Sequence, residues 1–157
     1  MFTCLHTLNP PFSFSLLETS YSLLLILTPT PMSLTTTRDH LLHLHKALLD
    51  YQKAAYEATH PAVQNPNHYY QLVLGDPAFV WLRTLSALVV SIDELLEKPA
   101  ELTDAKEAEI ATYTRRLLTI SNQTDEFSTN YQAAIGNSET VAALHAQVLQ
   151  VLDTKAA

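Results

Sequence analysis

The chain of 157 residues carries a net charge of −7 at neutral pH, and its length suits one domain with a substantial core. Hydrophobic residues make up 47% of it and charged residues only 16%, a composition that excludes a natively disordered chain. Its nine basic residues are scattered, with Arg115 and Arg116 as the only adjacent pair, so we expect no nucleic-acid partner.

Residues 1–31 differ in composition from the remainder of the chain. They hold the only cysteine, Cys4, and four of the eight prolines, but no lysine or arginine. Without a basic start, and with only a short apolar run at residues 22–27, this segment predicts neither a secretory signal nor a membrane span. We expect a non-native or disordered N-terminal extension, with residues 32–157 forming a single helical-bundle domain. That domain has no cysteine, which suits a reducing compartment, and we expect a cytoplasmic location.

The first predicted long helix covers residues 36–59. Thr36 or Thr37 can cap its amino end, and Asp39 would then lie in the first turn, where the helix dipole favours a negative charge. Pro61 cannot continue the helix and therefore marks its end. The apolar face has positions three and four residues apart, namely Leu41, Leu44, Leu48, Leu49, Ala55 and Tyr56.

Two Asx-Pro pairs predict the next two helix starts, because Asn and Asp cap helices and proline is favoured in the first turn. The first pair, Asn65–Pro66, opens a short helix that ends at Gly75. The second pair, Asp76–Pro77, opens a second long helix over residues 77–98. This helix has the densest apolar face and is expected to be central in the core. Its apolar positions are Phe79, Trp81, Leu82, Leu85, Leu88, Val89, Ile92 and Leu96.

A third long helix is predicted from Thr103, its cap, to Gly136, with a bend near residues 121–124, and Ser138 caps a fourth helix. The seam of the third helix comprises Ile110, Tyr113, Leu117, Ile120, Thr124, Phe127, Tyr131 and Ala134. Because this seam is longer than the neighbouring helices, part of it is expected to stay exposed and to favour a homodimer or a protein partner.

Together these elements predict an all-α fold. The specific architecture is an antiparallel up-down four-helix bundle with a short extra helix between the first two long helices.

Neither a phosphate-binding loop nor a dinucleotide fingerprint can be formed, because the only glycines are Gly75 and Gly136. We therefore predict no catalytic residue and no cofactor.

The stretch "DHLLHLH", residues 39–45, places three histidines near the start of the first helix. His40 and His43 lie about 60° apart around a helix, whereas His45 lies about 160° from His43. The three histidines therefore cannot form one site. His40 and His43 are expected on a solvated face, and His45 among leucines on the apolar face.

A candidate metal site combines His45 and His145, each on the apolar face of its helix, with Asp93, which is expected at the edge of the same core on a third helix. Two histidines and one carboxylate can serve as three metal ligands with positions left open. The alternative is that these side chains form hydrogen bonds within the core, together or separately, and fix how the helices pack. Di-iron bundles use paired Glu-x-x-His motifs, and the only match in this sequence is Glu57–His60, at a helix end. The His-x-x-x-Glu and His-x-x-x-His spacings of hemerythrin-like bundles do not occur.

The stretch "GDPAFVWLRTLSALVVSIDELLE", residues 75–97, resembles one shared by small uncharacterised bacterial helical-bundle proteins, and "LHLHKALLD", residues 42–50, is similar to the same family. The matching positions are Asp76, Pro77, Phe79, Trp81, Leu82, Arg83, Ile92, Asp93 and Glu94. The resemblance implies an intact bacterial domain that begins near Met32, and it brings no activity, substrate or cofactor.

The sequence thus predicts a small non-catalytic helical protein that acts through protein–protein contact or self-association, with no membrane partner. The alternative is a metal- or small-ligand-binding four-helix bundle that uses the core histidines and a carboxylate.

Overall fold

A computed structural model describes residues 34–119 and 125–153 of the chain, and these ranges contain helices and no strand. The prediction of an all-α fold is therefore confirmed. The α-helices are α1 (Leu34–Glu57), α2 (Pro66–Gly75), α3 (Arg83–Leu96), α4 (Asp104–Leu118), α5 (Glu126–Asn137) and α6 (Glu139–Asp153). Short 3₁₀-helices cover Pro77–Leu82 and Pro99–Glu101.

The predicted caps of the middle helices are confirmed. The Asn65 side chain accepts a hydrogen bond from the backbone N–H of His68 at 2.9 Å, and Pro66 is the first residue of α2. The Asp76 side chain accepts from the N–H of Ala78 at 2.9 Å at the start of the first 3₁₀-helix. Before α4, the Thr103 hydroxyl accepts from the N–H of Lys106 at 3.3 Å. These contacts satisfy backbone donors that a helix start leaves without partners.

The start of the first helix was predicted wrongly. Helix α1 already begins at Leu34, so neither Thr36 nor Thr37 caps it, and Asp39 lies beyond the first turn. The reason is burial: Leu34 is 4% exposed and Thr37 is 7% exposed, so an additional turn packs against the core. An apolar contact of this kind outweighs a local capping preference, which is worth about 1 kcal/mol.

Two of the predicted long helices are divided in the structure. The second begins as the 3₁₀-helix Pro77–Leu82 and continues as α3. A 3₁₀-helix has three residues per turn, so Phe79 and Leu82 lie on one line and both are buried. The third predicted helix corresponds to α4 and α5; the predicted bend at residues 121–124 lies outside the described residues, as does the predicted extension 1–31.

The core is built around α1, which packs against both α3 and α6. Helices α1 and α3 are antiparallel, because His45 meets Ser86 while Arg38 meets Asp93. The core residues include Leu41, Leu44, Leu48, Phe79, Trp81, Leu82, Leu85, Ile92, Leu118, Tyr131, Val141, Val148 and Leu152. Most of these positions were assigned to apolar faces from periodicity alone.

In the described ranges, no single helix has both the length and the apolar character needed to cross a membrane. By length and composition alone, the pair Pro66–Gly75 and Pro77–Leu96 meets the criterion together, with a bend of 77° between its two parts.

Candidate functional site

The first candidate ligand, His45, forms a hydrogen bond between α1 and α3. Its Nε2 lies 2.8 Å from the Oγ of Ser86. The Ser86 hydroxyl donates to the carbonyl oxygen of Leu82 at 3.1 Å, so the Nε2–H of His45 is the donor in the interhelical bond. Burial lowers the pKa of His45 below 6.5, which keeps the ring neutral at pH 7.

The second candidate, Asp93, forms an ion pair instead. The Nε–H of Arg38 donates to Asp93 Oδ1 at 2.7 Å, and Nη1 of the same guanidinium donates to Asp39 at 2.8 Å. Hydrogen bonds to the two carboxylates raise the pKa of Arg38, that to Asp93 most strongly. Asp93 therefore joins the end of α3 to the beginning of α1, about two helical turns from the contact of His45 with Ser86.

The third candidate, His145, pairs with Tyr131 across the α5–α6 hairpin. The Tyr131 hydroxyl lies 2.8 Å from His145 Nδ1, and the two rings meet edge to face. Burial raises the pKa of Tyr131 and lowers that of His145, so both groups are neutral near pH 7. This hydrogen bond orients the two rings relative to each other.

The structure therefore does not bring the three candidate metal ligands together. His45, Asp93 and His145 each have a different partner, and within the ranges that the structure describes no group of three or more His, Cys, Asp or Glu residues is arranged to hold a metal ion. Of the two interpretations from the sequence, the observed contacts match separate core hydrogen bonds and an ion pair.

A surface groove of about 490 Å³ lies between α1 and the start of α6. Its lining residues are His43, Lys46, Ala47, Asp50, Tyr51, Ser138, Thr140 and Leu144. Lys46 and Asp50 are already paired with each other at 2.6 Å, which leaves little unpaired charge to bind a ligand.

Helix α4 is less well covered than the other long helices. It buries only Thr114 and Leu118, whereas α1 buries five residues and α3 buries four. Its Tyr113 is 41% exposed although it belongs to the predicted apolar seam. Tyr113 is the exposed position among the described residues of that seam, since Ile110 and Leu117 pack partly buried against the core and the α5 residues Phe127, Tyr131 and Ala134 are buried.

Three grooves converge on Tyr113. The first, of about 290 Å³, lies between α3 and α4, and a second of about 230 Å³ reaches Phe127. The third, of about 450 Å³, extends along the outer side of α4. Its lining residues, named here the α4 surface, are Ala105, Ala108, Glu109, Thr112, Tyr113 and Arg116.

The α4 surface carries one charge of each sign. The Arg116 guanidinium lies 5.7 Å from the centre of the Tyr113 ring, which is a cation–π distance. In the described part of the chain, neither Arg116 nor Glu109 belongs to an ion pair. The long apolar seam in the sequence indicated this helix as a possible contact, but periodicity did not indicate that Tyr113 would be its exposed residue.

No known protein family, curated protein or solved structure matches this chain. The resemblance to small bacterial bundle proteins therefore stays a prediction.

Proposed function

We propose that this protein is a non-catalytic helical-bundle protein that acts through protein–protein contact or self-association, and that the α4 surface is the contact. The setting we propose is the cytoplasm of a bacterium, as the composition and the family resemblance imply. We also propose that α1, α3, α4 with α5, and α6 form the up-down bundle.

The observation that carries this proposal is the exposure of Tyr113 where three grooves meet. Tyrosine is enriched at protein interfaces, because its ring supplies a large apolar contact area while its hydroxyl can stay hydrated. Energetically important interface residues are typically aromatic or Arg side chains close to the centre of the contact. Tyr113 and Arg116 fit this description, and they lie on the least covered long helix.

The metal-binding alternative depended on the convergence of His45, Asp93 and His145. Their separate partners leave no observation that favours it, and we do not extend it.

The test is sedimentation velocity of the full chain from about 1 to about 100 µM, the range of weak protein association. We expect a mass above that of the monomer at the higher concentrations. Tyr113→Ala should shift this association to roughly tenfold higher concentration, because it removes an interface aromatic residue.

Tyr70→Ala is the matched control. Tyr70 is 57% exposed on α2, so it tests the loss of an exposed ring outside the α4 surface. A strictly monomeric species over the whole range, unchanged by either substitution, would contradict self-association as the mode of action.

A further inference from the structure

We propose that the α4 surface binds a second copy of the same chain in antiparallel orientation, so that Glu109 of each copy pairs with Arg116 of the other. This inference rests on the proposed function and adds the identity of the partner and the geometry of the contact.

The positions of the two charges permit this pairing. Glu109 and Arg116 are seven residues apart, so they lie within about 20° of one line along α4 and about 10.5 Å apart along its axis. A two-fold axis between Thr112 and Tyr113 brings Glu109 of one copy opposite Arg116 of the second copy, and the reverse. A parallel arrangement would instead place equal charges opposite each other and would be repulsive.

The charges are available for an external partner. Glu109 and Arg116 are both exposed, and neither has an ion-pair partner within the described residues. Other cations of α4 are already engaged: Lys106 lies 3.7 Å from Glu101, and Arg115 lies 3.0 Å from Asp153. The α4 surface thus has one free positive and one free negative group at the spacing that a two-fold contact needs.

The side chains between these charges allow a second helix to approach closely. Ala105, Ala108 and Thr112 are small and exposed on the same side of α4. Small residues let helix axes come to about 8 Å, at the short end of the usual range. Tyr113, beside this line, would then be covered by the second copy and lose its exposure to water.

Two segments could cover the α4 surface: a second copy of the chain or the N-terminal residues of the same chain. Their charges favour the second copy. Residues 1–31 contain no lysine or arginine, so they offer no cation to Glu109. A second copy offers both signs in the correct register, and a two-fold contact closes on itself as a dimer.

The decisive experiment uses charge reversal in the full chain. We expect Glu109→Arg and Arg116→Glu each to weaken the homodimer at least tenfold at low salt, since each places like charges opposite each other twice. An equimolar mixture of the two variants should associate, because both pairs become attractive in the heterodimer. The double variant should dimerise about as well as the parent.

Net charge alone predicts a different pattern. The parent carries −7, so Glu109→Arg reduces the overall repulsion between copies and Arg116→Glu increases it. Under general repulsion the first variant would associate more strongly and the mixture would show no special preference. Glu94→Arg, at an exposed position of α3, is the matched control for a charge reversal outside the α4 surface.

Circular dichroism of each variant checks that the helices are retained. Loss of association in both single variants with recovery in the mixture supports the antiparallel dimer. Association that depends on Tyr113 but shows no recovery in the mixture would overturn this geometry and leave the proposed function standing. A monomer at all concentrations, for the parent chain as well, would overturn the antiparallel dimer and self-association as the mode of action.

Discussion

At the scale of single residues, His45 and His145 are partly buried histidines whose rings form hydrogen bonds with neutral hydroxyl groups. Ser86 and Tyr131 are these partners, at 2.8 Å in each case. Neither partner can stabilise an imidazolium as a carboxylate would, and burial disfavours its charge. The folded structure therefore favours the neutral form of both rings.

This gives a prediction for pH. Burial lowers the pKa of both His45 and His145 below 6.5, so between the folded and unfolded pKa values the unfolded chain binds more protons. Their contribution is fully present above a pH of about 6.5 and is lost as the pH falls through the folded pKa values. Urea unfolding at pH about 7.5, 6.5 and 5.5 should show a decreasing free energy of unfolding.

The variant His45→Gln, which keeps a donor but does not titrate, should reduce the slope of this pH dependence. His43→Gln is the matched control, because it makes the same substitution at an exposed position of the same helix. If the free energy of unfolding of the parent chain were constant from pH about 7.5 to about 5.5, protonation of His45 and His145 would not destabilise the folded state, and the prediction would be wrong.

At the scale of elements, α4 depends on its own ends more than the other long helices do, because so little of it is buried. Thr103 caps its start, and Asp104 and Glu107 lie in the first turn, where negative charge is favourable. Arg115 and Arg116 lie in the last turn, where positive charge is favourable.

We therefore predict that Thr103→Ala lowers the free energy of unfolding by about 1 kcal/mol, because the N–H of Lys106 loses its acceptor. Chemical denaturation followed by circular dichroism measures this. Thr103→Ser keeps the hydroxyl and should remain close to the parent. Equal losses in both variants would mean that the methyl group of Thr103, and not its cap, is the stabilising part.

At the scale of the whole molecule, Trp81 connects parts of the chain that are distant in sequence. It is the only tryptophan and is 3% exposed. Its Nε1–H donates to Gln52 of α1 at 3.1 Å, and its ring lies 6.0 Å from that of Phe127 in α5. Its fluorescence therefore reports on whether these elements remain packed together.

We predict that tryptophan fluorescence and the helical circular dichroism signal change with the same midpoint in urea. A core shared by all the long helices should unfold in one cooperative transition. A fluorescence midpoint clearly below that of circular dichroism would instead indicate that the packing around Trp81 is lost while helices persist.

Local patterns in the sequence predicted where several helices begin and which side of them faces the core. Proline after Asn65 and Asp76 predicted two starts, because capping and the missing proline N–H act within one turn. The three- and four-residue spacing predicted the buried side of α1 and α3, because that side depends only on rotation about the helix axis. In α4 the prediction was wrong by one position, since Thr114 and Leu118 are buried and Tyr113 is exposed. Leu34 shows the limit, since a distant apolar contact lengthened α1 beyond its local signals.

The partners of the polar core residues were decided by packing between helices. Rotation about its own axis directs His45 inward, but it does not specify whether Asp93, Ser86 or His145 lies opposite. That choice depends on the axial offset of α1 against α3, which the leucine faces set through the burial of many side chains at once. The same packing covered the α5 half of the seam and left Tyr113 in α4 exposed. The periodicity of the sequence determines which side of a helix is apolar. Which helix packs against that side, and at what axial offset, is determined by the packing of all the helices together.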